Sequence, residues 1–363
     1  MTESEEKLAR VRGLLDTHNL DAIVLSRVAN FAWLADGAAS YVNTAATFGA
    51  ASLIVTRDAQ YMVTNNIEAT RFGAEEPVEG LGFRPLVGPW YAPNREADAL
   101  LAGKAAGSDG GYPGSVDLTA EIAALRIPRT PTEIARFQAL GKSCAAAMDT
   151  AVRQVRPGLT EMEIAGLLAA AAYTQGALPI VNLIATDERI FRFRHPLPTG
   201  KKLERYAMLV LCGRRQGLVA SVTRLAHFGP LSDELRRKQQ ACAAVDATFI
   251  AATRPGATLG EVFARAQDAY ARAGYADEWQ LHHQGGPAAY EPREFVGGPD
   301  HPHTVREGEV YAWNPSITGV KSEDTILVGK EQNEVLTTIS GWPTLKLEAD
   351  GQTWERPAIL VVD

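Results

Sequence analysis

Two segments of this chain repeat one another, and that repeat constrains the fold more than any other feature. The first, "CAAAMDTAVRQVRPGLTEMEIAGLLAAAAYTQGA", begins at Cys144, and the second, "CAAVDATFIAATRPGATLGEVFARAQDAYARAGY", begins at Cys242. At this spacing of 98 residues Arg156-Pro157-Gly158 falls on Arg254-Pro255-Gly256, Thr160 on Thr258, Glu163 on Glu261 and Gly176 on Gly274. Pro-Gly breaks a helix, and a Thr ahead of the next apolar-periodic run caps a new one. Each segment therefore reads as a long helix, a breaker and a second capped helix. A strand-rich section follows each pair: "FRFRHPLPTGKKL" then the hairpin "YAMLVLCGRRQGLVASVTRL", and "WQLHHQGGPAAYEPREF" then the hairpin "EVYAWNPSITGVKSEDTILV". The hairpins align as well, Cys212 with Asn314, Gly217 with Gly319, Ser221 with Glu323 and Thr223 with Thr325. Two such halves predict a pseudo-symmetric sheet backed by helices, with a cleft where the halves meet.

The part before the repeat has its own pattern. "DAIVLS" (21–26) and the pair "ASLIVT" and "QYMVT" (51–64) read as strands. "IEATRFGAEE", "EADALLAG" and "SVDLTAEIAAL" read as helices, the last with Ser115 or Asp117 near its cap. Two prolines and a capping box around Thr132-Glu133 open the long helix that follows. This gives a small α/β N-terminal domain over 1–126 and a second domain over 127–363. With 46% hydrophobic residues in 363, both have material for a core. A net charge of −7 without a Lys/Arg block argues against nucleic acid and anionic membranes as partners. There is no apolar run of about 18 residues and no apolar h-region near the start, so neither a membrane span nor a signal peptide is expected. Cys144, Cys212 and Cys242 are too few and scattered for a disulfide framework or a cysteine metal site, which fits a cytoplasmic protein.

Chemistry concentrates around two of the seven histidines, His195 in "RFRHPLPTGKK" and His283 in "LHHQGGPAAYEPRE". They occupy corresponding places, each ahead of a hairpin, and imidazole moves protons near neutrality. Arg192, Arg194, Lys201 and Lys202 surround His195 and offer cations to a substrate carboxylate. Tyr311 and Trp313 alternate with Ala312 on one strand and read as core.

With these motifs the chain resembles the pita-bread superfamily of methionyl aminopeptidase, aminopeptidase P, prolidase and creatinase, over both domains. The resemblance implies a pseudo-two-fold catalytic domain with a curved antiparallel sheet, in which two aspartates, a histidine and two glutamates hold two metal ions. Position by position, the first aspartate falls on Leu211 or Cys212 and the second on Ser221, two residues before Thr223-Arg224. The histidine falls on His283, the first glutamate on Asn314 and the last on Glu323. A single carboxylate poorly compensates the desolvation of two divalent ions, so neither a metal nor another cofactor is expected. Creatinase works without the metal site, using a histidine that matches His195. By that resemblance the chain is a metal-independent hydrolase or lyase of a C–N bond in a small amino-acid-like or amidino substrate. His195 would be the general acid/base, with His283 and Glu323 polarising the substrate and Arg194, Ser221, Thr223, Tyr290 and Asn314 binding it. The alternatives are an Xaa-Pro dipeptidase or aminopeptidase with a rebuilt metal site, and a non-catalytic binding module. A homodimer is implied by the same resemblance.

Overall fold

The repeat is built around two helix pairs. Pro131–Val152 and Glu161–Thr174 form one, Asp233–Ala252 and Leu259–Arg272 the other. The breaker glycines sit in the left-handed region, Gly158 at φ 91° and Gly256 at φ 94°, where a side chain would be strained. Their amides are satisfied equivalently, Gly158 donating to the carbonyl of Leu203 and Gly256 to that of Val305. Thr160 and Thr258 then close matching capping boxes with Glu163 and Glu261. The same device opens the first helix, with Thr130 and Glu133 as the box and Pro131 in its first turn, so the cap lies two residues before the expected Thr132.

The computed structural model describes residues 2–76 and 78–363, which separate into two compact units. One comprises 1–127 with 216–218, the other 128–215 with 219–363. The first unit contains a six-stranded sheet. Ala22–Arg27 pairs antiparallel with Phe48–Thr56, which pairs antiparallel with Gln60–Asn65. Arg84–Gly88, Ala106–Ser108 and Val116–Asp117 extend it by parallel pairing. The expected helix over 115–125 is shorter. Val116–Asp117 is strand, the helix spans Thr119–Leu125, and the Asp117 carboxylate receives the Thr119 amide and hydroxyl just before it.

In the second unit the first half supplies Leu178–Thr186, Tyr206–Arg215 and Leu218–Phe228, and the last strand of the chain, Leu360–Val362, pairs beside Leu218–Phe228 to complete that sheet. The second half supplies Gly285–Pro287, Val310–Trp313, Asp324–Leu327 and Glu334–Val335. Leu178–Thr186 escapes the sequence reading because its burial does not alternate, whereas "FRFRHPLPTGKKL", read as strand-rich, is a short helix end and an extended loop. Tyr311 and Trp313 are core residues, Trp313 stacking on Phe249 at 4.6 Å between ring centroids and donating its indole N–H to Thr253.

The two half-sheets meet in a reciprocal set of bonds. Thr223 donates its amide to the carbonyl of Glu323 (3.1 Å), while Ser221 and Thr325 exchange amide-to-hydroxyl and hydroxyl-to-carbonyl bonds at 2.8 and 2.9 Å. The aligned residues of the halves are thus cross-paired, as a two-fold relation demands: Ser221 with Thr325, and its counterpart Glu323 with Thr223.

The capping boxes offer a direct test of the pseudo-symmetry. Thr160→Ala and Thr258→Ala should each cost about 1 kcal/mol, read as equal drops in urea midpoint. A cost confined to one of them would show that only one helix pair depends on its cap.

Candidate functional site

The cleft at the seam of the two hairpins encloses about 470 Å³. Val181 and Leu183, on the strand Leu178–Thr186, together with Val210 and Val296, make it apolar on one side. His195, His283, Asn314, Lys321, Glu323 and Arg293 line the rest.

Glu323 is the centre of this polar side and is almost completely buried. Both of its oxygens are engaged. Oε1 accepts from the Arg293 guanidinium at 2.9 Å, and Oε2 accepts from Lys321 Nζ at 2.9 Å and the Thr223 hydroxyl at 2.5 Å. Burial alone would raise its pKa, but Lys321, Arg293 and the Thr223 hydrogen bond outweigh it and hold the group at about 2. Arg293 also donates to the Ser221 hydroxyl at 3.1 Å, tying together the two positions that the repeat equates. Cys212 faces the cleft and accepts from that same hydroxyl at 3.2 Å, and burial pushes its thiol pKa up, so it stays protonated. Leu211, the other candidate for its position, alternates to the opposite face.

Three histidines converge beside this carboxylate. His195 comes from the loop after the helix Glu188–Arg192, while His282 and His283 follow the 3₁₀ turn Glu278–Leu281. His195 Nε2 and His282 Nε2 are 3.0 Å apart, and the rings of His282 and His283 lie 4.4 Å apart between centroids. The backbone beneath them is locked. The Gln284 amide donates to the carbonyls of Trp279 and His282 and accepts from Tyr270. Gly285, at φ 105°, leaves no room for a side chain, since a Cβ there would meet the Ala312 oxygen at 2.1 Å. Burial, Lys321 and the neighbouring histidines hold His282 at about 2. Burial, Arg293, His195 and Lys321 hold His283 at about 4. His195 is lowered too, by burial first and then by Lys321. All three are neutral bases at pH 7.

Of the residues singled out in the sequence, His195, His283, Asn314 and Glu323 line the cleft. Asn314 is 2% exposed, and its Oδ1 has no hydrogen-bond partner. Ser221 and Thr223 lie behind, holding Arg293 and Glu323. Tyr290 is directed elsewhere, donating its hydroxyl to Glu133 at 2.8 Å. Arg194 pairs with Glu278 and donates to Thr318, both at 3.0 Å, and Lys201 pairs with Asp187 and Glu188, so two of the four cations expected around His195 are engaged by acids. Sequence reasoning passed over His282, Arg293 and Lys321. Lys321 was legible, because it lies two residues before Glu323 and so on the same face of an extended chain. Arg293 sits in a loop, where no periodicity indicates direction.

Comparison with known proteins agrees with this architecture. The profile of metallopeptidase family M24 matches residues 135–330, more than half of the chain. An Xaa-Pro dipeptidase of Lactobacillus helveticus is 25% identical over 232 residues, 61% of this chain and 62% of that protein. An agropine synthesis cyclase of Rhizobium rhizogenes is 28% identical over 211 residues, 50% of this chain and 52% of that protein. The chain thus matches less than two thirds of the length of these curated relatives. The crystal structure of the prolidase from Pyrococcus horikoshii OT3 superposes with a TM-score of 0.80 at 19% identity, covering 92% of this chain and 99% of that one, which establishes the pita-bread fold.

The donor set does not fit the metal pair that the resemblance implies. A protonated thiol, a hydroxyl and an amide stand at three of the five ligand positions where the resemblance implies carboxylates, and His283 keeps the imidazole of the fourth. The fifth, Glu323, has its charge matched by two fixed cations. A pair of divalent ions needs anionic oxygen ligands to offset its summed charge, and this site presents it with Arg293 and Lys321 instead.

Acid stability tests this electrostatic assignment. The folded-state pKa values of His282, His283 and Glu323 all lie below their usual values, so their contribution to stability is present at neutral pH and is lost as pH falls. Loss should begin below about pH 6.5 through the histidines. It should continue below about 4.5, where Glu323 takes over as the contribution of His283 is exhausted near pH 4. His282→Asn should flatten the first stage in a melting-temperature series; a wild-type Tm unchanged from pH 7 to pH 5 would contradict the neutral-histidine assignment.

Proposed function

The chain belongs to metallopeptidase family M24, and from that premise we propose that it hydrolyses an amide-type C–N bond in a small molecule without the family's metal pair. One observation carries the reading. Two protein cations, Arg293 and Lys321, converge on Glu323 inside the cleft, where the resemblance implies metal ions. Fixed positive charge aimed at a developing oxyanion stabilises it as a metal would, without a metal. His195, neutral at pH 7, takes a proton from the water that attacks the carbonyl carbon. As the C–N bond breaks it returns that proton to the leaving nitrogen, giving a carboxylic acid and an amine. The unpartnered Oδ1 of Asn314 accepts an N–H of the substrate, and His283 orients it. Val181, Leu183, Val210 and Val296 favour a compact aliphatic portion.

A second reading, an Xaa-Pro dipeptidase with a rebuilt metal site, is favoured by the names of the relatives from Lactobacillus helveticus and Pyrococcus horikoshii. Chelation separates the two. Protein stripped with EDTA should release amine from a panel of N-acyl amino acids, amidino acids and dipeptides that includes Ala-Pro. His195→Asn should lower kcat by roughly 10²–10⁴-fold with folding intact. Activity that disappears on chelation and returns with manganese or cobalt would replace this reading by the second. The homodimer that the creatinase resemblance implies is read independently by light scattering.

A further inference from the structure

His282 has no counterpart among the ligands or proton-transfer groups that the resemblance implies, yet it stands between one of each. We propose that His195, His282 and His283 form a binding site for one divalent transition-metal ion of the imidazole-preferring kind, zinc being the probe. Resting on the reading above, we further propose that its occupancy shuts off proton transfer at His195.

The geometry carries the first half. The donor nitrogens of the three rings all lie within 4.8 Å of one another. His195 Nε2 and His282 Nε2 are already 3.0 Å apart. Four-coordinate zinc with Zn–N bonds of about 2.0–2.1 Å spaces its ligands about 3.3 Å apart. Two donors therefore stand near coordination spacing, and the third closes by a ring movement on the order of 1 Å. Nδ1 of His282 and Nδ1 of His283 are buried without hydrogen-bond partners, so no protein acceptor holds these rings in another orientation. Their shared backbone is fixed by Gln284 and by the close approach at Gly285, and His195 is brought to them from 87 residues away. The site is thus assembled by the fold.

The chemistry of the surroundings selects the ion. Glu323 is unavailable as a ligand, since Lys321, Thr223 and Arg293 take both its oxygens. What remains is an all-nitrogen, uncharged donor set with two cations nearby, one of them offset by Glu323. Magnesium, calcium and manganese, which favour carboxylate and carbonyl oxygens, gain little here. Zinc, nickel, cobalt and copper bind imidazole well, and three histidines leave a fourth position open. The consequence for His195 follows directly: a lone pair bound to metal cannot accept a proton.

The experiment is a titration of EDTA-treated protein with cobalt(II), read by visible absorption, and with zinc, read by calorimetry. One equivalent should bind, with the absorption of low-coordinate cobalt, and turnover should fall in step with zinc occupancy. His282→Ala should lose stoichiometric binding. His195→Ala, in the loop on the other side of the cluster, should lose it too and serves if the first variant fails to fold. Cys212→Ser should retain binding. No stoichiometric uptake by the wild type, or uptake untouched by either histidine change, overturns the site. Uptake with no effect of zinc on His195-dependent turnover overturns the inhibitory half. Uptake by a protein that hydrolyses nothing upholds the site and fails the proposed function, so the two are separable.

Discussion

A buried carboxylate has to be matched or neutralised, and the matching of Glu323 organises this site. The neighbouring residue is handled in the same way on the other side of the chain. Asp324 points away from the cleft, where it accepts from Arg224 at 2.9 Å and from Arg356 at 2.6 Å, and Arg356 also binds Asp246. Consecutive residues of an extended segment face opposite ways, so one short strand distributes charge to two compartments. Each carboxylate is paired within its own compartment. Removing any partner would strand a desolvated charge, which costs far more than the intact pair contributes. Glu323 is consequently held where it is from both sides: by its own cations, and by a strand that the Asp324 cluster anchors.

The histidines owe their protonation state to that arrangement. Lys321 acts on all three rings and Arg293 on His195 and His283, and partial or full burial disfavours an imidazolium at each. Neutral imidazoles follow, and neutral imidazoles can accept protons or ligate metal, whereas imidazolium can do neither. The inversion relative to the resemblance is therefore coherent. Positive charge stays in the cavity but is carried by side chains, and the positions of the carboxylates that would have answered free ions hold Cys212, Ser221 and Asn314. Losing those carboxylates without gaining the cations would leave Glu323 buried and unmatched.

The helix pairs and hairpins were legible because their signals are local. Pro-Gly breakers, Thr–Glu capping boxes and apolar periodicity act over a few residues, and their recurrence from Cys144 to Cys242 revealed the two halves. The errors are local too. Thr130 rather than Thr132 caps its helix because Pro131 favours the first helical turn. Leu178–Thr186 lacked the alternation that marks a half-buried strand. In the site, His195, His283, Asn314 and Glu323 were recoverable by position, since each lies at a fixed point of a repeated motif. Charge and hydrogen-bonding capacity say nothing of partners, and in the fold Arg194 pairs with Glu278 and Tyr290 donates to Glu133. Arg293 and His282 were missed for the complementary reason: their importance is set by what lies across the cleft.

Arg293 also explains how a two-fold frame comes to hold a one-sided site. The repeat equates Ser221 with Glu323, and the cross-paired backbone puts them symmetrically at the seam. Identical carboxylates there would demand counter-charge on both sides, as two metal ions provide. With a hydroxyl on one side and a carboxylate on the other, one guanidinium satisfies both, donating to Ser221 Oγ and to Glu323 Oε1 from adjacent nitrogens. The planar fork of arginine suits this, because its donors diverge at a fixed angle toward two acceptors, whereas a lysine ammonium would act as a single point charge. The symmetric backbone is what brings the unlike pair within reach of one side chain, and the asymmetry of the pair is what lets a fixed cation stand in the cavity at all.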